Sequence, residues 1–333
     1  MVTAAVMGAG SWGTAFSIVL ADAGHDVHLW GRREETCANI NARHENTEYL
    51  PDLELPETIR ATTDPATALA GASIVVLAVP SQMLRANLES WGHLIDPSAV
   101  MVSLMKGVEL GSHLRMSEVI AELTGAGPER IAVITGPNLA KEIARREPAA
   151  SVVACADESV ALQLQKYCHT PAFRPYTNQD VVGCELAGTV KNIIGLAVGV
   201  CDGLDFGDNT KASVITRGLA ETARLGLAMG ADPMTFMGLA GLGDLVATCS
   251  SPLSRNRTFG EKLGRGMTVE EISSQTRQVA EGVKSCVSVA ELARLHGVDM
   301  PIVEHVRALV DGAMTPAELV ETLISRSAKA ETR

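Results

Sequence analysis

The string Gly8-Ala9-Gly10-Ser11-Trp12-Gly13 constrains this chain more than any other, because of what flanks it. An apolar run, Thr3 to Met7, precedes it, and Thr14-Ala15-Phe16-Ser17-Ile18-Val19-Leu20 follows with helical character. A GxGxxG between a strand and a helix predicts the first turn of a dinucleotide-binding βαβ unit. Gly8 permits the tight turn, Gly10 lets backbone approach a pyrophosphate, and Gly13 lets helix and strand pack closely. The helix that starts there directs unpaired N–H groups and the positive end of its dipole at the phosphates.

The second strand is expected at Asp26 to Trp30, after a helix closed by Gly24-His25. An NAD-preferring fold places an acidic residue near this strand's end, to hold the ribose hydroxyls. Here the chain has Gly31-Arg32-Arg33. Two guanidiniums suit a 2′-phosphate, so NADP(H) is favoured and NAD(H) is the second choice.

Further along, Ile59 to Thr62 reads as a strand after a polar connection that starts at Leu50, and Asp64-Pro65 as a helix start. Ser73 to Val79 and Ala99 to Leu104 are continuous apolar runs, the mark of parallel strands buried on both faces. A helix is expected over Met83 to Leu94 between them. Lys106 emerges just past the second run, at the carboxyl edge where open α/β sheets bind ligands. Ile131 to Ile134 leads to Thr135-Gly136-Pro137-Asn138, and Gly136 and Asn138 offer backbone N–H groups there. Ala149 to Cys155 and Phe173 to Tyr176 complete the strands.

From Asp180 onward the pattern is helical. The predicted architecture is α/β, an N-terminal Rossmann-type doubly wound sheet over 1–180 with an all-α C-terminal domain over 181–333. Gly183 to Val200 is almost wholly small and apolar, as a buried helix is. Lys191 and Asn192 interrupt it, and a buried lysine demands a partner. Burial and neighbouring cations bring its pKa into the range useful for proton transfer. Asp244 and Thr248 share a helix face. Ser254 reads as an N-cap for a helix through Leu263, placing Arg255 and Asn256 at an anion-binding terminus. Arg257 reads as a surface charge. Thr268 to Glu271 and Thr315 to Glu318 are capping boxes.

Composition narrows the function. The formal charge of −11 argues against general nucleic-acid or anionic-membrane binding. Seven scattered cysteines without a CxxC pair suit a reduced, cytoplasmic chain with no metal site. Neither a signal peptide nor a membrane span is expected.

Taken together, GAGSWGTA at 8–15, MKG at 105–107, TGPNLAKE at 135–142, GTVKNIIG at 188–195, GLGDLVATC at 241–249 and SRNRTFG at 254–260 resemble the bacterial NAD(P)-dependent glycerol-3-phosphate dehydrogenases nearly end to end. The resemblance implies interconversion of dihydroxyacetone phosphate and sn-glycerol 3-phosphate by hydride transfer, serving phospholipid synthesis. It assigns Ser11, Trp12, Arg32, Arg33, Lys106, Ala140, Arg255, Val279 and Glu281 to the cofactor, beside the glycines 8, 10 and 13. Lys191 is the acid/base, with Asp244, Lys106, Asn192 and Thr248 around it. Lys106, Gly136, Asn138, Lys191, Asp244, Ser254, Arg255 and Asn256 surround the substrate. Thr135 and Asn138 stand where many relatives carry Ser, and both keep hydrogen-bonding capacity. A homodimer is expected from the apolar helical half. On residues alone two alternatives stay open. One is a dehydrogenase for another small hydroxy acid on the same plan, of ketopantoate or 6-phosphogluconate type. The other is a non-catalytic nucleotide sensor, which the intact Lys191 and Asp244 argue against.

Overall fold

In the computed structural model, residues 1–275 and 280–324 are described. Ten strands form: β1 (Thr3–Met7), β2 (Asp26–Trp30), β3 (Glu45–Asn46), β4 (Leu50–Glu54), β5 (Ile59–Thr62), β6 (Ile74–Leu77), β7 (Val100–Ser103), β8 (Ile131–Thr135), β9 (Ala149–Cys155) and β10 (Phe173–Asn178). Eight of them build one sheet in the order β10-β9-β8-β7-β6-β1-β2-β5. The chain winds outward from β1 through β2 to β5, then returns to the other side of β1 as β6. The crevice beyond the carboxyl ends of β1 and β6 is therefore the topological switch point, where such sheets take ligands.

Alternation along β1 explains the layers. Ala4 and Val6 pack into a core with Phe16, Ile18 and Leu20 of the helix Ser11–Asp22, whereas Ala5 and Met7 face the opposite core with Leu84, Leu88 and Val119. Burial on both faces is why these strands read as unbroken apolar runs.

The structure departs from expectation in the sheet's outer part. β9 runs antiparallel to β8, and β10 follows β9, so the last two strands are reversed. Leu50 to Glu54 is not a mere polar connection: it pairs with Glu45–Asn46 as a small antiparallel ribbon. Its anchor is the buried Asn46, whose amide donates to the Ala9 carbonyl (3.1 Å) and to Thr14 Oγ1 (2.8 Å). The helix expected over Met83 to Leu94 is regular only over Leu84–Trp91, with tight 3₁₀ turns at Ser81–Met83 and Gly92–Leu94.

No strand follows β10 among the described residues. The long helix Val181–Gly203 starts at Asp180, whose carboxylate accepts from the Gly183 N–H at 2.8 Å. It is long and apolar enough to cross a membrane, yet 89% of its most apolar window is buried within the protein. Its glycines explain how. A Cβ at Gly199 or Gly203 would fall on the backbone carbonyls of Arg257 or Glu261 in the helix Arg255–Gly264. In return, a Cβ at Gly260 or Gly264 would fall on those of Leu196 or Val200. The two helices touch backbone to backbone, a separation only glycine allows.

Arg257 is not the surface charge expected. Its Nε lies 2.7 Å from Asp202 Oδ2, whose other oxygen accepts from Lys211 at 3.2 Å. The close helix contact carries Arg257 alongside Asp202 of the long helix, and the pair is mostly shielded. All seven cysteines are buried and none forms a disulfide.

Candidate active site

The glycine turn closes the cleft floor. Gly8 has φ +138°, and a Cβ there would meet the Ala78 carbonyl at 2.5 Å, just past β6. Gly13 packs against the Gly8 carbonyl and faces away from the cleft, while a Cβ at Gly10 would have nothing within 4 Å. Gly10 therefore leaves an open berth beside the N-terminus of Ser11–Asp22, which no side chain caps. Trp12 Nε1 is buried at the cleft wall without a hydrogen-bond partner. An uncapped helix end, an open glycine berth and an orphan donor fit a pyrophosphate-bearing ligand.

From this turn a cleft of about 600 Å³ runs between the sheet's carboxyl edge and the helical half. One end is walled by Ser11, Trp12, Arg32 and Arg33, and the middle by Lys106, Asn138 and Ala140. The far end has Lys191, Asn192, Thr248, Ser254, Arg255, Asn256 and Glu281. Three expected residues lie behind the wall: Gly13, Gly136 and Asp244. Gly136 enters through its carbonyl, which accepts from Lys106 Nζ at 3.3 Å. Val279 lies outside the described residues.

Two ammoniums meet on one carboxylate. Asp244, 1% exposed, opens the helix Asp244–Ser250. Its Oδ1 accepts from Lys191 Nζ and its Oδ2 from Lys106 Nζ at 2.6 Å. Lys191 also donates to Thr248 Oγ1 at 2.6 Å. An ammonium has three donors. With one on Asp244 and one on Thr248, Lys191 keeps a third for the cleft it lines. Its pKa is lowered to about 8, chiefly by burial; the Asp244 carboxylate opposes the shift and the Lys106 ammonium adds to it.

The neighbouring polar groups are ordered among themselves. Asn256 Nδ2 donates to Asn192 Oδ1 at 2.9 Å, and Asn256 Oδ1 accepts from the Gly282 N–H at 3.0 Å. Asn192 Nδ2 reaches the Gly188 carbonyl at 3.4 Å. Ser254 Oγ accepts from the Arg257 N–H at 3.3 Å, so the N–H groups of Arg255 and Asn256 stay at the open helix end. Burial raises the Glu281 carboxyl, with the Arg255 and Lys106 cations and the Ser81 N–H opposing it. Asn138 Nδ2 donates to Ser151 Oγ at 3.0 Å, and Ser151 Oγ to the Thr135 carbonyl at 2.8 Å.

At the opposite end Arg33 is held by Glu48 (2.5 Å) and by the Tyr49 hydroxyl (2.8 Å), with its guanidinium over the Tyr49 ring. Arg32 is exposed and makes no hydrogen bond or ion pair among the described residues. Tyr49 lines the cleft and Asn46 braces the glycine turn, and sequence reasoning missed both. Their only signal is a position in the short ribbon, which carries no apolar periodicity to reveal it.

Comparison with known proteins agrees with this geometry. Two family models match, described as NAD-dependent glycerol-3-phosphate dehydrogenase N-terminus over residues 3–161 and C-terminus over residues 180–321. A Streptomyces griseus protein named as an NAD(P)+ glycerol-3-phosphate dehydrogenase is 66% identical over 332 residues, covering 100% of this chain and 99% of its own. A Thermobifida fusca protein of the same name is 61% identical over 332 residues, covering 99% of each. The crystal structure of glycerol-3-phosphate dehydrogenase from Coxiella burnetii superposes with a TM-score of 0.93 at 38% identity, over 97% of this chain and 99% of that one. This chain belongs to the NAD-dependent glycerol-3-phosphate dehydrogenase family.

Proposed function

We propose that this protein interconverts dihydroxyacetone phosphate and sn-glycerol 3-phosphate with NADPH or NADH, supplying glycerol 3-phosphate for phospholipid synthesis. The observation that carries the reading is Lys191: buried, braced by Asp244 and Thr248, with one N–H left for the cleft that the glycine turn shares. The bound nicotinamide supplies or accepts the hydride at the central carbon. In the reductive direction Lys191, as an ammonium, gives a proton to the developing alkoxide; in reverse, neutral Lys191 takes the hydroxyl proton. Asp244 holds Lys191 and Lys106 side by side, so a substrate oxygen between them meets two preorganised donors. Asn192 and Asn256 fix each other, which keeps the helix start at Arg255 aimed at the phosphate. In this reading residues 1–180 form the nucleotide-binding domain and 181–333 the catalytic one. Turnover of dihydroxyacetone phosphate, assayed with NADPH and NADH side by side, tests the proposal. Failure to oxidise either nucleotide overturns it.

The phosphate role has its own test. Arg255→Ala is expected to raise KM for the phosphorylated substrate about ten- to hundredfold, the worth of a charge-assisted hydrogen bond at roughly 1.5–3 kcal/mol. An unchanged KM removes Arg255 from the phosphate site.

NADP(H) is the favoured cofactor because Arg32 lines the cleft with no partner among the described residues and Arg33 is already oriented by Glu48 and Tyr49. Replacing both by Ala is expected to weaken NADPH binding about tenfold or more while leaving NADH within about twofold, since each lost charged contact is worth roughly 1.5–3 kcal/mol. Parallel titrations check this, and equal losses for both nucleotides contradict it. The same reading places the enzyme in the cytoplasm, which its unpaired cysteines suit. It also takes the enzyme as a homodimer, and Leu227, Met234 and Met237, exposed on the helical half, support an apolar contact there.

A further inference from the structure

The long helix that carries Lys191 meets the nucleotide half a second time, away from the cleft. Six residues before Lys191, the Glu185 side chain is 3% exposed. Its Oε1 accepts from the Ser117 N–H at 2.8 Å, and its Oε2 from Ser117 Oγ and Arg115 Nη1, both at 2.6 Å. Arg115 and Ser117 stand at the start of the helix Met116–Thr124, which packs on the sheet. Arg115 is itself fixed, its backbone N–H and Nη2 both donating to Glu118 at 2.8 Å.

The loop between Lys106 and Arg115 is closed on itself. Val108 bridges to Arg115, the Glu109 N–H donates to the Leu114 carbonyl at 2.9 Å, and Gln82 grips the Val108 carbonyl at 2.8 Å. One rigid loop thus presents Lys106 to Asp244 at one end, and Arg115 with Ser117 to Glu185 at the other. Between those points a Cβ at Gly188 would lie 2.9 Å from Thr135 Oγ1 at the end of β8 and 3.5 Å from Lys106 Cγ, so the helix backbone packs directly on the Thr135 and Lys106 side chains.

We infer that Glu185 is a positioning residue: its buried bond to Arg115 and Ser117 sets where the Lys191 helix sits against the nucleotide half, and so aligns the proton donor with the hydride path. The inference rests on the activity proposed above. Glu185 does not line the cleft, and neither do Arg115 and Ser117, its side-chain partners among the described residues. Its effect therefore belongs to the chemical step rather than to nucleotide affinity.

Glu185→Gln, Arg115→Gln and their double variant separate these readings. Glu185→Gln is expected to lower kcat about ten- to hundredfold, the scale of an ångström-sized misplacement. The Kd for NADPH should stay within about twofold, and the isotope effect with deuterated NADPH should rise as hydride transfer becomes more limiting. The double variant should lose no more than either single one, because both break the same bond. In the protein without nucleotide, amides of residues 107–115 should exchange faster by hydrogen–deuterium exchange, a readout that needs no turnover. Should Glu185→Gln fail to fold, Ser117→Ala keeps the ion pair and should give the same pattern with a loss of about threefold. A folded variant with parental kcat and isotope effect, or losses that multiply in the double variant, overturns the inference. Absence of turnover in the parent enzyme overturns the activity instead, and leaves the exchange measurement to decide the role of Glu185.

Discussion

Turnover by the Lys191→Ala protein is expected to fall about 10²–10⁴-fold, the usual worth of a positioned proton donor, with NADPH affinity little changed. The structure explains the split. Lys191 stands on the long helix Val181–Gly203 whereas Arg32 and Arg33 follow β2, and Lys191 spends two of its N–H groups on Asp244 and Thr248. The pH profile adds a second signature. Burial brings the ammonium down to about 8, so reduction should decline as pH rises through that value and the proton is lost. Oxidation, which needs the neutral amine, should rise over the same range. Steady-state kinetics in both directions across pH 6–10, an interval of about two units either side of that value, checks this. Parental turnover in the alanine variant, or profiles of the same sign in both directions, would dismiss Lys191 as the acid/base.

Asp244→Asn should be the most damaging single change to stability. It removes the carboxylate that both ammoniums bond to, in a site where Asp244 is 1% exposed. Breaking a buried pair from one side costs about 3–5 kcal/mol because the remaining charge is left without compensation. Two cations left facing each other would relieve that cost by shedding a proton. Since the carboxylate supports the charged form of Lys191, its loss moves the Lys191 pKa further down. The reductive limb should therefore shift to lower pH, with kcat reduced. Thermal unfolding and the pH profile measure the two effects separately. A variant as stable as the parent, with its profile unmoved, would show that the carboxylate does not bind the lysines together.

The parts of this design that were legible in the sequence are those written as periodicity or punctuation. β1, β6 and β7 are unbroken apolar runs because both sheet faces are covered. Ser254 and Asp64 are N-caps, and their oxygens do accept the expected N–H groups. Lys191 stands out because an ammonium inside a largely apolar, buried helix needs a partner. Strand direction was not legible, because the apolar pattern of β9 is identical whichever way the strand runs, so its reversal against β8 was missed. The ribbon at Glu45–Glu54 was missed because its value lies in one buried amide on Asn46. Arg257 was misread because a guanidinium's partner across two helices depends on how closely they approach, and that distance is set by glycines elsewhere.

Those glycines also decide how this protein can be made to withstand heat. Replacing helical glycine by alanine is a common route to a higher melting temperature, since it trims the freedom of the unfolded chain at no native cost. At Gly199, Gly203, Gly260 and Gly264 that route is closed, because each added methyl would land on a neighbouring backbone. For this protein, stabilisation by glycine replacement has to be sought away from these four contacts between Val181–Gly203 and Arg255–Gly264.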